Sequence, residues 1–401
     1  MSFAPQAVRR SALPALSLLG ICLIPPGVLA SPAFADDMRS REWYLDAMQA
    51  ADIWNVSRGE GVTVAVLDTG VDSSIPELEG QVLAGADLSN KPTGPHDDRD
   101  GHGTEMAALI AGTGSSGGIQ GLAPGVKVLP IKTVGESKEG FADPLWGKAI
   151  RYAVDHGARV INISMISPGL VGNSSKTEAA LKYALDKGSL VFAGSGNDGD
   201  KGNVENYPAS FPGVVSVGAV DSNRKVTKWS NSASHVVLAA PGDEIPGRCK
   251  ESSGFCATRG TSQATALASA SAALIWSKHP DWTNNQVLRV MMDTAGKPAT
   301  GGVPSIYLGY GIVRPRKVLV DGEGNPGPAD VNPLLAASQS ASPKPSAPGD
   351  PKPSGSARAS STESKHDEGG TAFPWSSIAI GAVVVAAVAT GIVFLRRRGQ
   401  R

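Results

Sequence analysis

The sequence predicts an α/β fold of three layers, in which helices cover both faces of a mostly parallel central sheet. Short apolar runs rich in β-branched residues alternate with segments of helical spacing, and this alternation is typical of parallel sheets. The predicted strands are residues 61–67, 126–131, 159–164, 190–193 and 214–217. We expect functional groups at the carboxyl ends of these strands.

Four segments between and after the strands have the length and periodicity of helices. They are residues 104–111, 145–156, 176–187 and 261–279. The third is followed by Gly188, a residue type that commonly ends helices. The fourth is longer and rich in alanine.

The overall composition is that of a globular protein, with 41% hydrophobic and 18% charged residues among 401. The 37 basic residues balance the 37 acidic ones. This balance argues against a basic nucleic-acid-binding protein and against an acidic solvating chain, so no nucleic-acid partner is expected. Three cysteines are too few for a small disulfide scaffold, and their spacing does not indicate structural zinc.

Residues 1–35 are predicted to be a secretory signal peptide. Arg9 and Arg10 precede a mostly apolar run, and small residues at 33–35 offer a cleavage site. A retained anchor helix is the alternative. After cleavage, residues 36–60 would form an N-terminal extension that wraps the folded domain.

Export also bears on the cysteines. Cys22 leaves with the signal peptide, and Cys249 and Cys256 remain as an even pair. We therefore expect a disulfide between these two residues, with two free thiols as the alternative.

The carboxyl-terminal end is predicted to anchor the chain in a membrane. Residues 376–395 form an uncharged run of 20, long enough to cross a bilayer, and we assign a transmembrane helix to 374–395. The three arginines that follow predict that the basic tail, 396–401, is cytoplasmic and the folded domain extracytoplasmic. The predicted location is thus the cell membrane, crossed once; a buried core helix is the alternative.

Residues 321–373 are predicted to be a tether between the folded domain, 61–320, and the membrane. Of these 53 residues, 32 are Pro, Ala, Ser or Gly, and no apolar periodicity is present. Such a segment buries too little surface to offset chain entropy, so a disordered or semi-extended chain is expected.

Three side chains suited to acyl-transfer chemistry lie at the ends of predicted elements. Asp68 ends the first strand, where backbone donors can hold its carboxylate. His102 is flanked by glycines at the start of an apolar helix. Ser262 begins the long alanine-rich helix, where free N–H groups and the helix dipole stabilise negative charge. Taken singly, each also fits a capping or structural role.

The combination of the three favours catalysis. A serine hydroxyl is a weak nucleophile unless a base takes its proton, and a histidine base works best when a carboxylate fixes its tautomer. Asn197 follows an apolar strand, so its amide can project into the same cleft. There it would donate to the oxyanion of a tetrahedral intermediate, together with the backbone N–H of Ser262.

These motifs resemble those of the subtilisin-like serine protease family over about 260 residues, 61 to about 320. Further similar stretches are Tyr-Pro-Ala-Ser at 207–210, Val-Gly-Ala at 217–219 and Ala-Pro-Gly at 240–242. The resemblance implies a subtilisin-like form of the three-layer fold. It also implies that Asp68, His102 and Ser262 are the catalytic triad and that Asn197 is the oxyanion donor.

The same resemblance implies how a polypeptide substrate binds. An extended chain would lie along the strands near Ser164 and Gly194, in the manner of β-augmentation. At 164–166 this sequence has Ser-Met-Ile where the family usually has Ser-Leu-Gly, and Ala266 stands where it usually has proline.

The order of segments resembles the mycosins in particular, which are membrane-anchored proteases associated with type VII secretion in actinobacteria. Glu-Trp-Tyr-Leu at 42–45 is also similar to that group. The implied function is a membrane-anchored extracytoplasmic serine endopeptidase, with polypeptide substrates and type VII secretion membrane components as partners. A scaffold of a secretion complex with little proteolysis is the alternative, and an esterase that uses the same residues is a third.

No cofactor is expected from the sequence. Asp97, Asp98 and Asp100 cluster before His102 and offer oxygen ligands of the kind that calcium prefers. A solvated acidic loop explains the same residues.

Overall fold

The central sheet lies within the described part of the chain. The computed structural model describes residues 38–134, 143–168, 174–249 and 254–336, together with Met1, Ser2 and Ala4. The strands are β1 (Thr63–Asp68), β2 (Ala86–Asp87), β3 (Lys127–Lys132), β4 (Val160–Ile163), β5 (Ser167–Pro168), β6 (Leu190–Gly194), β7 (Asn206–Tyr207), β8 (Val215–Val220), β9 (Val236–Pro241), β10 (Ile245–Arg248) and β11 (Phe255–Thr258). The described helices are α1 (Trp43–Ala47), α2 (Ala50–Trp54), α3 (His102–Ala111), α4 (Asp143–Asp155), α5 (Ser175–Asp186), α6 (Thr261–Lys278), α7 (Asn284–Thr294) and α8 (Pro315–Leu319).

Seven of these strands form one sheet in the order β2-β3-β1-β4-β6-β8-β9. Every pairing within it is parallel. The predicted α/β class with a mostly parallel sheet is confirmed. The five predicted strands and four predicted helices are present with ends within three residues of those expected.

Helices cover both faces of the sheet because its strands are apolar on both sides. On β1, Val64 and Val66 pack into a core that includes α3, α6 and α7. Ala65 and Leu67 point the other way, into a core that α4 and α5 complete. Successive strand residues face opposite sides, so this alternation gives the three layers.

Helix α6 is the central helix of the first core. Its residues from Thr261 to Trp276 are all buried, which explains why it has no polar stripe. Small side chains fill most of these positions and allow the helix to pack closely on the sheet. A polar residue at its start therefore sits deep in the domain.

A small antiparallel hairpin, β10–β11, lies beside this core. Its strands pair from Ile245 opposite Thr258 to Arg248 opposite Phe255. A disulfide joins Cys249 to Cys256, with Cα atoms 5.2 Å apart, as the sequence predicted. Cys249 directly follows β10 and Cys256 is the second residue of β11, so the bridge joins the two strands at the end where the chain turns from one to the other.

The segment before β1 packs against the domain. The Trp43 indole N–H donates to the Asp243 carbonyl at 3.1 Å, and the Tyr44 hydroxyl donates to the Gln120 carbonyl at 2.6 Å. The Gln120 N–H donates to the buried Glu42 carboxylate at 2.6 Å. Burial raises the pKa of Glu42 to about 7.

The first part of the predicted tether is packed rather than free. Arg289 of α7 donates to the carbonyls of Pro326 and Pro328, and Gln286 donates to that of Gly327 at 3.1 Å. These bonds hold residues 326–331 along α7, which the composition of the segment did not predict. The rest of the predicted tether, beyond residue 336, lies outside the described residues.

Among the described residues, no helix has both the length and the hydrophobicity needed to cross a bilayer. Nearly all of the predicted signal peptide, the predicted span 374–395 and the basic tail 396–401 lie outside those residues. They stay predictions from the sequence.

Helix α3 begins in direct contact with the end of strand β1, and Gly103 makes this contact possible. A β-carbon at Gly103 would lie 2.1 Å from the Gly70 carbonyl oxygen and 3.0 Å from the Asp68 β-carbon. No side chain fits into that space. The glycine therefore sets how closely the helix approaches the strand.

We predict that Gly103→Ala lowers the free energy of unfolding by about 1–3 kcal/mol, the usual cost of overpacking a core. The added methyl group must push the start of α3 away from β1. Urea unfolding of the purified domain measures the loss. Gly302→Ala is the matched control, because no atom lies within 4 Å of the β-carbon position there; equal stability of the two variants would contradict the prediction.

Candidate active site

Asp68 and His102 meet at the carboxyl end of β1. Asp68 Oδ1 lies 2.7 Å from His102 Nδ1, and the Asp68 side chain is completely buried. The Thr69 N–H donates to the same oxygen at 2.8 Å. A carboxylate oxygen accepts only, so Nδ1 carries the proton and Nε2 is left as the basic nitrogen.

The start of α3 is held by a second carboxylate, Asp98. Its Oδ2 accepts hydrogen bonds from the Thr104 N–H at 2.8 Å and from the Thr104 hydroxyl at 2.5 Å. Its Oδ1 accepts from the Gly101 N–H at 2.9 Å and from the Thr69 hydroxyl at 2.8 Å. Asp98 thus caps the helix that carries His102 and ties it to the residue after Asp68.

The charge of Asp68 controls the protonation of His102. Burial lowers the pKa of the imidazole, but the charge of Asp68 and its hydrogen bond raise it more, so that the pKa is about 9. Glu105 and Asp100 raise the pKa further by their charge. A quarter of the side chain remains exposed, although Asp68 holds Nδ1.

Ser262 is the second residue of α6 and is only 9% exposed. Its hydroxyl donates to the Ser164 carbonyl at 2.9 Å. Among the described residues, nothing accepts the Ser262 backbone N–H, and no hydrogen bond joins its hydroxyl to His102. The hydroxyl must therefore leave the Ser164 carbonyl before it can give its proton to a base.

A chain of buried polar groups connects Ser262 to the sheet. The Ser164 hydroxyl donates to the Ser262 carbonyl at 3.2 Å and accepts from the Asn162 amide at 2.9 Å. The Asn162 carbonyl oxygen accepts in turn from the Ser269 hydroxyl at 3.0 Å. Both Asn162 and Ser269 are fully buried, so these bonds fix α6 against the end of β4.

Asn197 lies across the start of α6 with its amide carbonyl held in place. Its Oδ1 accepts hydrogen bonds from the Thr261 N–H at 2.8 Å and the Thr261 hydroxyl at 3.1 Å. A backbone N–H can only donate, so the oxygen must face Thr261 and Nδ2 must face away from it. Within the described residues, no acceptor engages Nδ2. The amide is therefore free to donate to a bound group.

Gly194 ends strand β6 beside the same helix start. A β-carbon there would lie 2.7 Å from the Thr261 hydroxyl oxygen. The residue predicted to bind substrate thus also allows α6 to approach the sheet. Ser164 directly follows β4 and contacts Ser262, and Gly194 ends the neighbouring strand β6 and contacts Thr261.

The acidic loop before His102 has a structural use. Asp98 is engaged by Thr69, Gly101 and Thr104, and Asp97 accepts from the Arg99 side chain at 3.2 Å. Within the part of the chain that the structure describes, no three His, Cys, Asp or Glu side chains come together as a metal-binding group. The hydrogen bonds of Asp98 hold the start of α3, so this part of the loop is not simply solvated.

The sequence did not point to the buried groups that surround the predicted residues. Glu105, one turn along α3, accepts hydrogen bonds from the side chains of Thr258 and Gln263. An acidic residue in a helix ordinarily predicts a solvated face. Asp98 belongs to a residue type that commonly caps helices, and this was the one signal in the sequence for its role. It lies four residues before α3, three before the N-cap position at Gly101.

Comparison with known sequences gives one family. The profile of the subtilase family matches residues 32–311. Subtilisin E of Bacillus subtilis is 34% identical over 257 residues, which cover 64% of this chain and 65% of subtilisin E. Thermitase of Thermoactinomyces vulgaris is 35% identical over 240 residues, which cover 60% of this chain and 83% of thermitase.

Comparison with solved structures gives the same fold. MycP1 from Mycobacterium smegmatis superimposes with a TM-score of 0.62 at 28% identity, over 72% of this chain and 86% of that one. The MycP3 protease from the type VII (ESX-3) secretion system superimposes with a TM-score of 0.61 at 32% identity, over 69% of this chain and 88% of that one.

The raised pKa of His102 predicts that hydrolysis increases with pH. Protonated His102 cannot accept a proton, so we expect the acidic limb of kcat/KM well above 6.5, toward about 9. Asp68→Asn removes the charge that raises the pKa, and should move the limb to lower pH as well as reduce kcat. The measurement is kcat/KM against pH with a peptide substrate. An acidic limb of the wild type at or below pH 6.5 would contradict the expectation that the raised pKa of His102 controls hydrolysis.

The same pair gives a stability effect with a defined sign. The folded state raises the pKa of His102, so its contribution to the free energy of unfolding is fully present below pH 6.5 and is lost as pH rises through about 9. Denaturant titrations at pH 6 and pH 9 should show this loss in the wild type and not in Asp68→Asn.

Asn197→Ala should lower kcat by about 10²–10³, the loss typical of one oxyanion donor, with little change in KM. The reason is that Asn197 Nδ2 faces away from Thr261 and that no group in the described parts of the chain accepts from it. Steady-state kinetics on a peptide substrate measure the effect. Asn223→Ala, at an exposed loop position, is the control; a loss confined to KM would exclude oxyanion stabilisation.

Proposed function

This chain belongs to the subtilase family of serine proteases, and from that premise we propose that it cleaves polypeptides through an acyl-enzyme formed on Ser262. The observation that carries the proposal is the 2.7 Å hydrogen bond between Asp68 and His102 at the edge where the buried start of α6 presents Ser262. His102 has a carboxylate partner that fixes its tautomer, and Ser262 lies at a helix N-terminus, which favours negative charge.

In the proposed first step, Ser262 Oγ attacks the carbonyl carbon of the substrate peptide bond while His102 Nε2 takes its proton. Asp68 holds Nδ1, so the imidazole keeps the tautomer in which Nε2 is basic. Substrate binding must draw the serine hydroxyl from the Ser164 carbonyl toward the imidazole. The imidazolium that forms is stabilised by the Asp68 charge.

The oxyanion of the tetrahedral intermediate lies beside the start of α6 in this mechanism. Asn197 Nδ2 and the Ser262 N–H would donate to it, and the dipole of α6 favours the same negative charge. The intermediate collapses when His102 gives its proton to the leaving amine. Water, activated by the same imidazole, then releases the acyl group.

The substrate chain is proposed to bind in an extended form between the segments that contain Ser164 and Gly194. Ser164 directly follows the last residue of β4, and Gly194 is the last residue of β6, where it pairs with Val217 of β8. In this proposal, main-chain groups at these strand ends pair with a peptide as an added strand does. This arrangement suits polypeptides better than small esters.

We further propose that the protease is anchored in the cell membrane by residues 374–395, faces outward and works with a type VII secretion system. The uncharged run of 20 residues followed by three arginines supports the anchor and its orientation. The similarity to MycP1 and MycP3 supports the association, since their structures are described as type VII secretion proteases.

The test of the catalytic proposal is active-site labelling with a fluorophosphonate probe. Wild-type protein should be labelled at Ser262, and Ser262→Ala should lose labelling and peptide hydrolysis while keeping its thermal unfolding midpoint. Ser277→Ala, on the same helix, is the matched control and should be labelled normally.

Labelling that persists in Ser262→Ala would remove Ser262 from the proposed role. The proposed role in secretion is tested separately, by expressing Ser262→Ala in cells that lack the wild-type chain. Secretion that continues would show that the chain serves as a scaffold there instead of as a protease.

A further inference from the structure

A buried carboxylate outside the proposed triad joins the two helices that carry the base and the nucleophile. Glu105 follows His102 by one turn of α3 and is 9% exposed. Its Oε1 accepts from the Thr258 hydroxyl at 2.6 Å and from the Gln263 amide at 2.7 Å. The Gln263 amide also lies 3.1 Å from the Thr258 hydroxyl, so the three side chains form a closed triangle.

The two partners of Glu105 lie on either side of the nucleophile's turn. Thr258 is the last residue of β11, and Gln263 directly follows Ser262. The four residues between them carry Ser262 and its N–H. One carboxylate oxygen therefore holds both ends of the segment that presents these groups.

Gln263 also reaches the neighbourhood of the oxyanion donors. A β-carbon on Gly260 would lie 2.7 Å from Gln263 Oε1 and 3.5 Å from Asn197 Nδ2. The two amides thus flank the same glycine. A shift of Gln263 would change the space in which Asn197 and the Ser262 N–H converge.

We propose that Glu105 is a positioning residue for peptide hydrolysis: by holding Thr258 and Gln263 it fixes the turn that presents Ser262 relative to His102, which lies on the same helix as Glu105. The inference rests on the proposed function. It adds a connection between base and nucleophile that runs behind the cleft and does not touch the substrate.

Two physical properties make this connection effective. Hydrogen bonds to a buried carboxylate are stronger than those between neutral groups, and here the donors are short side chains with few rotamers or a buried amide. Burial raises the pKa of Glu105, the two hydrogen bonds and His102 oppose that rise, and Asp68 adds to it. In return, the charge of Glu105 raises the pKa of His102, together with Asp68 and Asp100.

The experiment compares Glu105→Ala and Glu105→Gln with the wild type in kcat, KM and the pH dependence of kcat/KM on one peptide substrate. Glu105→Ala loses both acceptor bonds, and we expect kcat to fall by about 10–100-fold with KM within about twofold, as for misplaced reacting groups. Glu105→Gln keeps an acceptor oxygen and should recover kcat to within about fivefold. Both variants should move the acidic limb to lower pH, since each removes the charge.

Glu77→Gln is the matched control. Glu77 is fully buried and binds Arg248 of the same hairpin through both oxygens, at 2.8 and 2.7 Å, but it contacts neither Ser262's turn nor His102. It should lower the unfolding midpoint and leave kcat unchanged. If Glu105→Ala does not fold, Thr258→Val and Gln263→Met each remove one of the two bonds to Glu105 and should lower kcat in the same way.

The proposal is overturned if Glu105→Ala or the two single-bond variants retain kcat within twofold of the wild type. It is also overturned if the Glu105 and Glu77 variants lose kcat in the same proportion to their loss of stability. Fluorophosphonate labelling of the wild type separates failure of the proposed function from failure of the positioning role of Glu105. If the wild type is not labelled, the proposed function fails; if it is labelled and the Glu105 variants behave like it, only this inference fails.

Discussion

The close approach of helix α3 to the end of strand β1 is the constraint on which the site depends. The Asp68–His102 hydrogen bond can be 2.7 Å long only because Gly103 leaves room for the Gly70 carbonyl. Asp98 then binds the first turn of the helix and Thr69 together. A base of the kind proposed for His102 must be held within a fraction of an ångström, and here the missing side chain of Gly103 and the capping carboxylate of Asp98 hold the histidine in place.

Ser262, the proposed nucleophile, is positioned differently, by the burial of hydrogen-bonded polar groups. Helix α6 is enclosed along nearly its whole length, so its first turn cannot adjust by moving into solvent. The Ser269–Asn162–Ser164 chain holds that turn from the sheet side. Thr261 holds it to Asn197 from the cleft side. Satisfied buried polar groups of this kind specify one arrangement, because each alternative leaves a donor or acceptor without a partner.

The sequence predicted those parts of the molecule whose patterns are local. Apolar runs gave the sheet, and glycine or small residues next to Asp68, His102 and Ser262 gave the candidate site, because each feature is complete within a few residues. Strand β9 was missed although it is apolar, since a short apolar run does not distinguish strand from helix.

Features that depend on distant partners were not predictable in the same way. Glu105 meets Thr258 and Gln263 across more than 150 positions of the chain, and Arg289 binds backbone carbonyls of a segment with a disordered composition. The composition of residues 326–331 describes what the segment can bury, and not the carbonyl groups that it offers to an arginine. Only the folded arrangement shows that those carbonyls are used.

The disulfide in the β10–β11 hairpin has a consequence for a protease that can cleave copies of its own chain. If a peptide bond between Cys249 and Cys256 is broken by autolysis, the two flanking strands remain covalently attached through sulfur. Arg248 would still hold Glu77, and Thr258 would still donate to Glu105. The two strands would thus stay joined after such a cut, so the hairpin tolerates cleavage there.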